Sequence, residues 1–195
     1  DNVFEVSGMK AMAEEEAVQL VKFRSSKFID GIPISRYVLD CDRFISIAKF
    51  KTHGITILTA ALKNTFGTVV GLYKTGCHSR APRPEDFAKL IAKVHSVSRP
   101  HLTILDGIVA MEGDGPAAGD LRNMDLVMAG EDAVAIDACL ARIMGLKPED
   151  ILVTKEAYSL GLGEMDLSRI EIVGDRIDDF VRKDYYVTKA IQVLT

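Results

Sequence analysis

Tryptophan is absent from the 195 residues, and cysteine (3), proline (6) and histidine (4) are scarce. Cys41, Cys77 and Cys139 are odd in number and far apart, which excludes a disulfide framework and a CxxC metal knuckle and fits reduced thiols in a cytoplasm. No apolar run approaches the ~20 residues of a membrane helix, and no basic segment followed by an apolar one opens the chain. The expectation is a cytoplasmic protein with no membrane partner. The net charge of −4, with no dense stretch of Lys and Arg, leaves nucleic acid without an electrostatic foothold. Hydrolase motifs of the GxSxG or HExxH type, a GxxxxGK[ST] phosphate loop and EF-hand spacing are all missing. No repeat, low-complexity stretch or linker divides the sequence, so residues 1–195 read as one α/β domain. Its opening at Asp1 rather than Met suggests a fragment that lacks its N-terminal part.

What is present is a hydrophobic fraction of 48% beside 27% charged residues, enough for a substantial core. Ala17 to Phe23 and Arg43 to Ala48 are strand-like, and the second run leads into Lys49, Lys51 and His53. Thr56 then suits the cap of a helix through Leu62 or beyond, with Gly67 as its stop. Pro84-Glu85-Asp86 begins a helix whose stripe is Phe87, Leu90, Ile91 and Val94, and Pro100 ends it. His101 to Leu105 predicts a strand leaving through Asp106-Gly107, followed by a glycine-rich loop from Glu112 to Asp120. Asp125 to Ala129 predicts a strand, Glu131 to Met144 and Pro148 to Leu160 helices, and Arg169 to Val173 a last strand. Asp178 to Thr195 fits either a docked helix or a partner-facing tail. Alternating strands and helices predict a mostly parallel sheet with helices on both faces. Ligands of such sheets bind beyond the carboxyl ends of the strands, where Lys51 to Lys63, Asp106 to Asp120 and Glu131 would converge.

The segment KTHGITILTAALKNTFG, Lys51 to Gly67, carries the chief candidates. A helix from Thr56 would place Thr56, Thr59 and Lys63 on one polar face, with His53 in the turn feeding its positive end. Lys51, His53, Lys63 and Asn64 then form an anion-binding set, whereas taken singly Lys51 and Lys63 read as solvated surface lysines and His53 as a turn residue. Gly113 and Gly115 let a backbone approach a ligand, while Asp106 and Glu112 are candidates for a divalent cation; a mobile surface loop is the plain alternative. Asp137, amid apolar helix neighbours, either meets a lysine, ligand or cation or turns to a cap or solvent. His78, beside Cys77 and Arg80, is a metal ligand, an anion contact or simply a loop histidine. His95 and His101 are assigned to structure.

In order, KTHGITILTAALKNTFG, HLTILDGIVAMEGDGPAAGD and AGEDAVAIDACLARIMGL resemble the bacterial and archaeal family catalogued as domain of unknown function 362. That resemblance implies an α/β domain often joined to a ferredoxin-like segment with [4Fe–4S] clusters. The three isolated cysteines here supply no cluster motif, so no iron–sulfur cluster is expected on this chain. Lys51, His53, Lys63, Asn64, Asp106, Glu112, Gly113 and Asp137 fall on motif positions. More remotely, His53 followed ten positions later by Lys63 is similar to the lactate racemase signature, which implies a cofactor-anchoring lysine and a proton-transferring histidine. Ala61 and Leu62 stand where that signature has a glycine pair.

Two functions follow as expectations. The first is a redox-associated enzyme or cofactor-handling protein, with Lys51, Lys63 and Asn64 holding a small anion and His53 as acid or base near its ordinary pKa of about 6.5. The second is a non-catalytic accessory domain docking to an iron–sulfur electron-transfer or maturation partner. A deep pocket at these residues favours the first, and an exposed apolar patch the second.

Overall fold

The computed structural model describes residues 2–71, 73, 76, 77 and 81–187. An N-terminal arm holds two short helices, α1 (Asn2–Val6) and α2 (Met9–Glu15), and runs on without regular structure to Ser25. A hairpin follows, β1 (Ser26–Ile29) and β2 (Ile32–Ser35), and then α3 (Arg36–Asp40). Its turn is Asp30-Gly31 with both φ positive (50° and 80°), the two-residue connection whose twist matches that of paired strands.

The central sheet comprises β3 (Ile45–His53), β4 (Ile57–Thr59), β5 (Leu102–Glu112) and β6 (Asp120–Gly130), in the order β4-β3-β5-β6. Between β4 and β5 lie α4 (Ala61–Asn64), a 3-10 turn at Thr65–Thr68, and α5 (Pro84–Val97). After β6 come α6 (Ala133–Ile143) and α7 (Leu152–Ser159). The expectation of a mostly parallel sheet is corrected: only β3 and β5 run parallel, and β3–β4 and β5–β6 are antiparallel. A crossover through α5 makes the parallel pair, whereas the other two connections are hairpins, which reverse the chain.

Side chains alternate along β3, with Ser46, Ala48, Phe50 and Thr52 buried and Ile45, Ile47 and Lys49 exposed. Leu105 of β5 and Met124 and Leu126 of β6 continue the buried side. Against it pack Leu62, Phe66, Phe87, Ile91, Val94, Leu140, Ile143 and Val153, which with the sheet form one core cluster. Helices on both faces is therefore also corrected. On the outer face Ile45 is 53% exposed, Ile47 71% and Val127 59%, so no helix of the described residues covers it.

Several sequence expectations are met in type. The helix from Pro84 carries Phe87, Ile91 and Val94 in the core, and Asp132 caps α6 by accepting from the Val134 and Ala135 N–H groups. The strands at Arg43, His101 and Asp125 are present but longer. β5 runs on past Asp106 through an irregularity at Gly107–Val109, where a Cβ on Gly107 would lie 3.1 Å from the Leu126 carbonyl oxygen.

Three elements differ. Ala17 to Phe23 forms no strand: Ala17 has a φ of 52°, and Val18, Leu20 and Phe23 remain exposed, since no neighbouring strand satisfies that backbone. Arg169 to Val173 is likewise irregular, because Asp166 accepts from the Ser168 N–H and starts a 3-10 turn at Leu167–Arg169. The helix expected from Thr56 is a hairpin strand instead. Ile55, Thr56, Ile57 and Thr59 are β-branched, and the helix starts only at Ala61, passing through Gly67 as a 3-10 turn.

The glycine-rich connection from Gly113 to Gly119 lies against β3 and β5. A Cβ on Gly115 would collide with the Thr52 backbone carbonyl, while one on Gly54 would meet open space. Gly115→Ala should lower the free energy of unfolding in urea by about 1–3 kcal/mol, and Gly54→Ala should leave it within about 0.5 kcal/mol of wild type.

Candidate functional site

The end of β3 and the glycine-rich connection meet, as the rule for strand ends predicts. Lys51 Nζ donates to the Pro116 carbonyl (3.4 Å), Thr52 Oγ1 to the Gly113 carbonyl (2.9 Å), and the Gly54 N–H to the Gly115 carbonyl (3.2 Å). Lys51 stands opposite Thr59, and His53 opposite Ile57, across the β3–β4 pair.

The N–H groups at this junction serve internal acceptors. Those of Ile55 and Thr56 donate to His53 Nδ1 at 3.1 and 3.3 Å, which places the proton of a neutral His53 on Nε2. The Gly113 N–H donates to the Tyr186 carbonyl at 2.7 Å, and the Gly115 N–H to the Gly113 carbonyl at 2.8 Å. Thr56, 2% exposed, donates from Oγ1 to the Leu58 carbonyl. Thr59 Oγ1 is buried with no hydrogen-bond partner among the described residues. Thr56, Thr59 and Lys63 do not share a helix face, because the first two lie before Ala61 and only Lys63 is helical. Asn64 closes the free edge of β3, donating from Nδ2 to Ser46 Oγ (2.8 Å) and the Ile47 carbonyl (3.0 Å). His78 lies outside the described residues.

Asp106, Glu112 and Asp137, the candidate cation ligands, each have partners of their own within the chain. Asp106 is on the outer sheet face, 2.7 Å from Lys49 Nζ, and that hydrogen bond holds its carboxyl below the usual range. Glu112 is bound to Arg122 at 2.7 Å and accepts from the Tyr186 N–H at 3.2 Å. No group of three or more His, Cys, Asp or Glu side chains arranged to hold a metal occurs among the described residues.

Arg122, Tyr185 and Lys49 carry interactions that no sequence motif announces. Arg122 also meets Asp184 at 2.8 Å and lies 5.5 Å over the Tyr185 ring. Tyr185 stacks on Phe50 with centroids 5.2 Å apart and donates its hydroxyl to the Met111 carbonyl. Together these strap Asp184 to Val187 across the turn end of the β5–β6 hairpin, with Gly113 bridging to Val187. Alternation along β3 is the one available signal for Lys49, since it sets Lys49 and Lys51 on the same side.

Asp137 takes the capping alternative left open by its sequence context. At 3% exposure its Oδ1 accepts from the Ala61 N–H (2.9 Å) and its Oδ2 from the Leu62 N–H (3.2 Å), fixing α4 to α6. Burial pushes the carboxyl up to about 7, against the pull of the Leu62 and Ala61 N–H groups. His95, structural as expected, is driven down to about 4 by burial and by Arg99, with Asp132 opposing.

Comparison places the chain in a family. Residues 1–142 match the family described as Domain of unknown function (DUF362), so the chain belongs to that family. It is also similar to the thylakoid-associated protein sll1697 of Synechocystis sp., with 30% identity over 167 residues, 82% of this chain and 52% of the relative. The chain thus spans about half the length of that curated relative. No solved structure matches it. No helix among the described residues is long and apolar enough to cross a membrane.

Because the folded Asp137 pKa of about 7 exceeds the ordinary 3.8, protonation favours the native state. That contribution is present in full below pH ~4 and is lost as pH rises through about 7. His95 has the opposite sign, losing stability as pH falls from 6.5 towards 4. The wild-type minus Asp137→Asn difference in unfolding free energy should therefore fall between pH 4 and 7 and level off above. Arg122→Ala should cost about 1–3 kcal/mol in urea unfolding, since it strips the half-buried Glu112 carboxylate of its cation.

Proposed function

We propose that this chain is a non-catalytic docking domain that binds another protein through the outer face of its sheet. The observation that carries the reading is a parallel strand pair that is apolar on both sides and helix-covered on one. Ile45, Ile47, Leu102, Ile104 and Val127 line the open side, where the Lys49–Asp106 ion pair is the central charge and is internally neutralised. Parallel strands are ordinarily buried on both faces, and a contiguous exposed apolar surface marks an interaction site.

The first expectation, an enzyme holding a small anion or cofactor through Lys51, His53, Lys63 and Asn64, has weaker support. The N–H groups nearest His53 and the glycine-rich turn already have acceptors, and Asn64 is occupied with β3. A cavity of about 450 Å³ lies in the N-terminal arm by Phe4, Ala13, Val18 and Leu20, away from those residues. The family resemblance makes an iron–sulfur electron-transfer or maturation protein the partner to try first. The relative from Synechocystis is named for an association, with thylakoids, and an associating role is part of this reading.

Titration calorimetry with a purified [4Fe–4S] ferredoxin, paired with a thermal-shift panel of phosphate, citrate and nucleotides, tests the assignment. Docking predicts ferredoxin binding weakened at least ~10-fold by Ile47→Asp and unchanged by Lys63→Ala. A ligand-induced shift in melting temperature that disappears in Lys63→Ala would contradict it in favour of the anion-binding enzyme.

A further inference from the structure

The turn end of the β5–β6 hairpin is filled by four residues in the manner of a bound peptide. Asp184 places a carboxylate oxygen 2.8 Å from Arg122 Nη2. Tyr185 seats its ring against Phe50, with the Arg122 guanidinium 5.5 Å from its centroid, and donates its hydroxyl to the Met111 carbonyl at 2.9 Å. Tyr186 pairs with the strand end through its backbone: its carbonyl accepts from the Gly113 N–H and its N–H donates to Glu112 Oε2. Its ring lies over Gly113, where a Cβ would stand 3.1 Å from Cδ1. Val187 completes a parallel bridge to Gly113. A carboxylate on an arginine, an aromatic anchor in a slot and strand addition through the backbone are devices by which domains recognise extended peptides.

Three further observations mark these residues as an occupant of the groove. Glu112 and Arg122 are paired with each other at 2.7 Å, so lifting Asp184 away leaves neither charge alone. The chain from Leu160 to Lys183 forms no α-helix or strand, only 3-10 turns at Leu167–Arg169 and Ile177–Phe180. The Arg182 N–H donates to the Ile143 carbonyl at 2.8 Å, so the chain is tied to the body just before the strap and the residues beyond Lys183 can lift as a unit. Phe50, Met111, Glu112, Gly113 and Arg122 all lie within the residues that match the family, and Asp184 to Val187 lie beyond them. We infer that this groove is a recognition site for an extended segment of a partner protein in which a carboxylate is followed by an aromatic residue, and that Asp184 to Val187 hold it closed in cis. Phe50 faces the helix-covered side of the sheet, so the site is separate from the outer face. A tethered occupant competes at an effective concentration on the order of millimolar, so a free segment enters readily only when the strap is weakened.

Fluorescence polarisation of a labelled Lys-Asp-Tyr-Tyr-Val peptide, the sequence of residues 183–187, tests the site in trans. The Tyr185→Ala chain, whose own strap has lost its anchor, should bind the peptide at least ~10-fold more tightly than the wild type does. Asp184→Asn or Tyr185→Ala within the peptide should each weaken that binding at least ~10-fold. A Tyr185→Ala chain that keeps the far-UV circular dichroism of the wild type and binds no peptide overturns the proposal, as does equal binding by variant and wild type. Where Tyr185→Ala fails to fold, the Asp184→Asn chain, which removes only the strap's ion pair, carries the same expectation and the same refutation. Native-state hydrogen exchange of the wild type tests independently whether the strap opens by itself. The Gly113 and Tyr186 amides should exchange at least ~10-fold faster than those of Ile104 and Leu105 in β5. Exchange of all four only through global unfolding would make the strap a fixed part of the fold and defeat the proposal.

Discussion

The pairing of β3 with β5 is the constraint on which the remaining structure depends. It is the single parallel contact of the sheet, in register from Ile45–Leu102 to Lys49–Asp106, and it joins strands separated by an intervening helix. A parallel pair exposes apolar side chains to both sides, because the residues that alternate are hydrophobic in either phase. Ala48, Phe50 and Leu105 satisfy one side under α4 to α7. Ile45, Ile47 and Ile104 leave the other side unsatisfied, and the outward Lys49–Asp106 pair keeps that surface close to neutral.

The polar residues grouped at the carboxyl end of β3 follow from the same constraint. With β3 fixed against β5, its end arrives beside the β5–β6 connection, and Thr52, Gly113 and Gly115 lie close enough to bond backbone to backbone and hydroxyl to carbonyl. Asn64 and Asp137 then secure what the hairpin leaves open. One ties α4 to the bare edge of β3, and the other ties the first N–H groups of α4 to the core helix α6. Glu112, Arg122 and Tyr185 fasten the chain after Lys183 over the same end. Most of the polar residues that looked chemical in sequence are thus joints between elements.

The sequence made the helices legible wherever start signals and apolar spacing agreed. Pro84-Glu85-Asp86 with Phe87, Ile91 and Val94 is one case, and Asp132 before α6 is another. Strand direction was not legible, since neither composition nor alternation tells a hairpin from a crossover. Asp106-Gly107 looked like a strand exit, yet Gly107 lets β5 pass close to Leu126 and continue. The stretch Ile55 to Thr59 was misread because Thr56 is a good cap in isolation. The deciding contact, His53 Nδ1 accepting from two N–H groups of the turn, is a side-chain geometry that spacing does not reveal. At the candidate site, the meeting of Lys51 to Gly54 with Gly113 to Pro116 was legible from the rule for strand ends. The Arg122 strap depends on residues some sixty positions apart and had no local signal.

The central claim is that the sheet is held by its inner face and holds its outer face in reserve. Urea unfolding of Ile47→Thr beside Phe50→Ala, at concentrations low enough for a monomer, tests it most directly, because the two residues lie on opposite sides of one strand. Phe50→Ala should cost about 3–5 kcal/mol, and Ile47→Thr should stay within about 0.5 kcal/mol of wild type. A loss for Ile47→Thr as large as that for Phe50→Ala would mean that the outer face is already covered within the single chain, and would contradict the account.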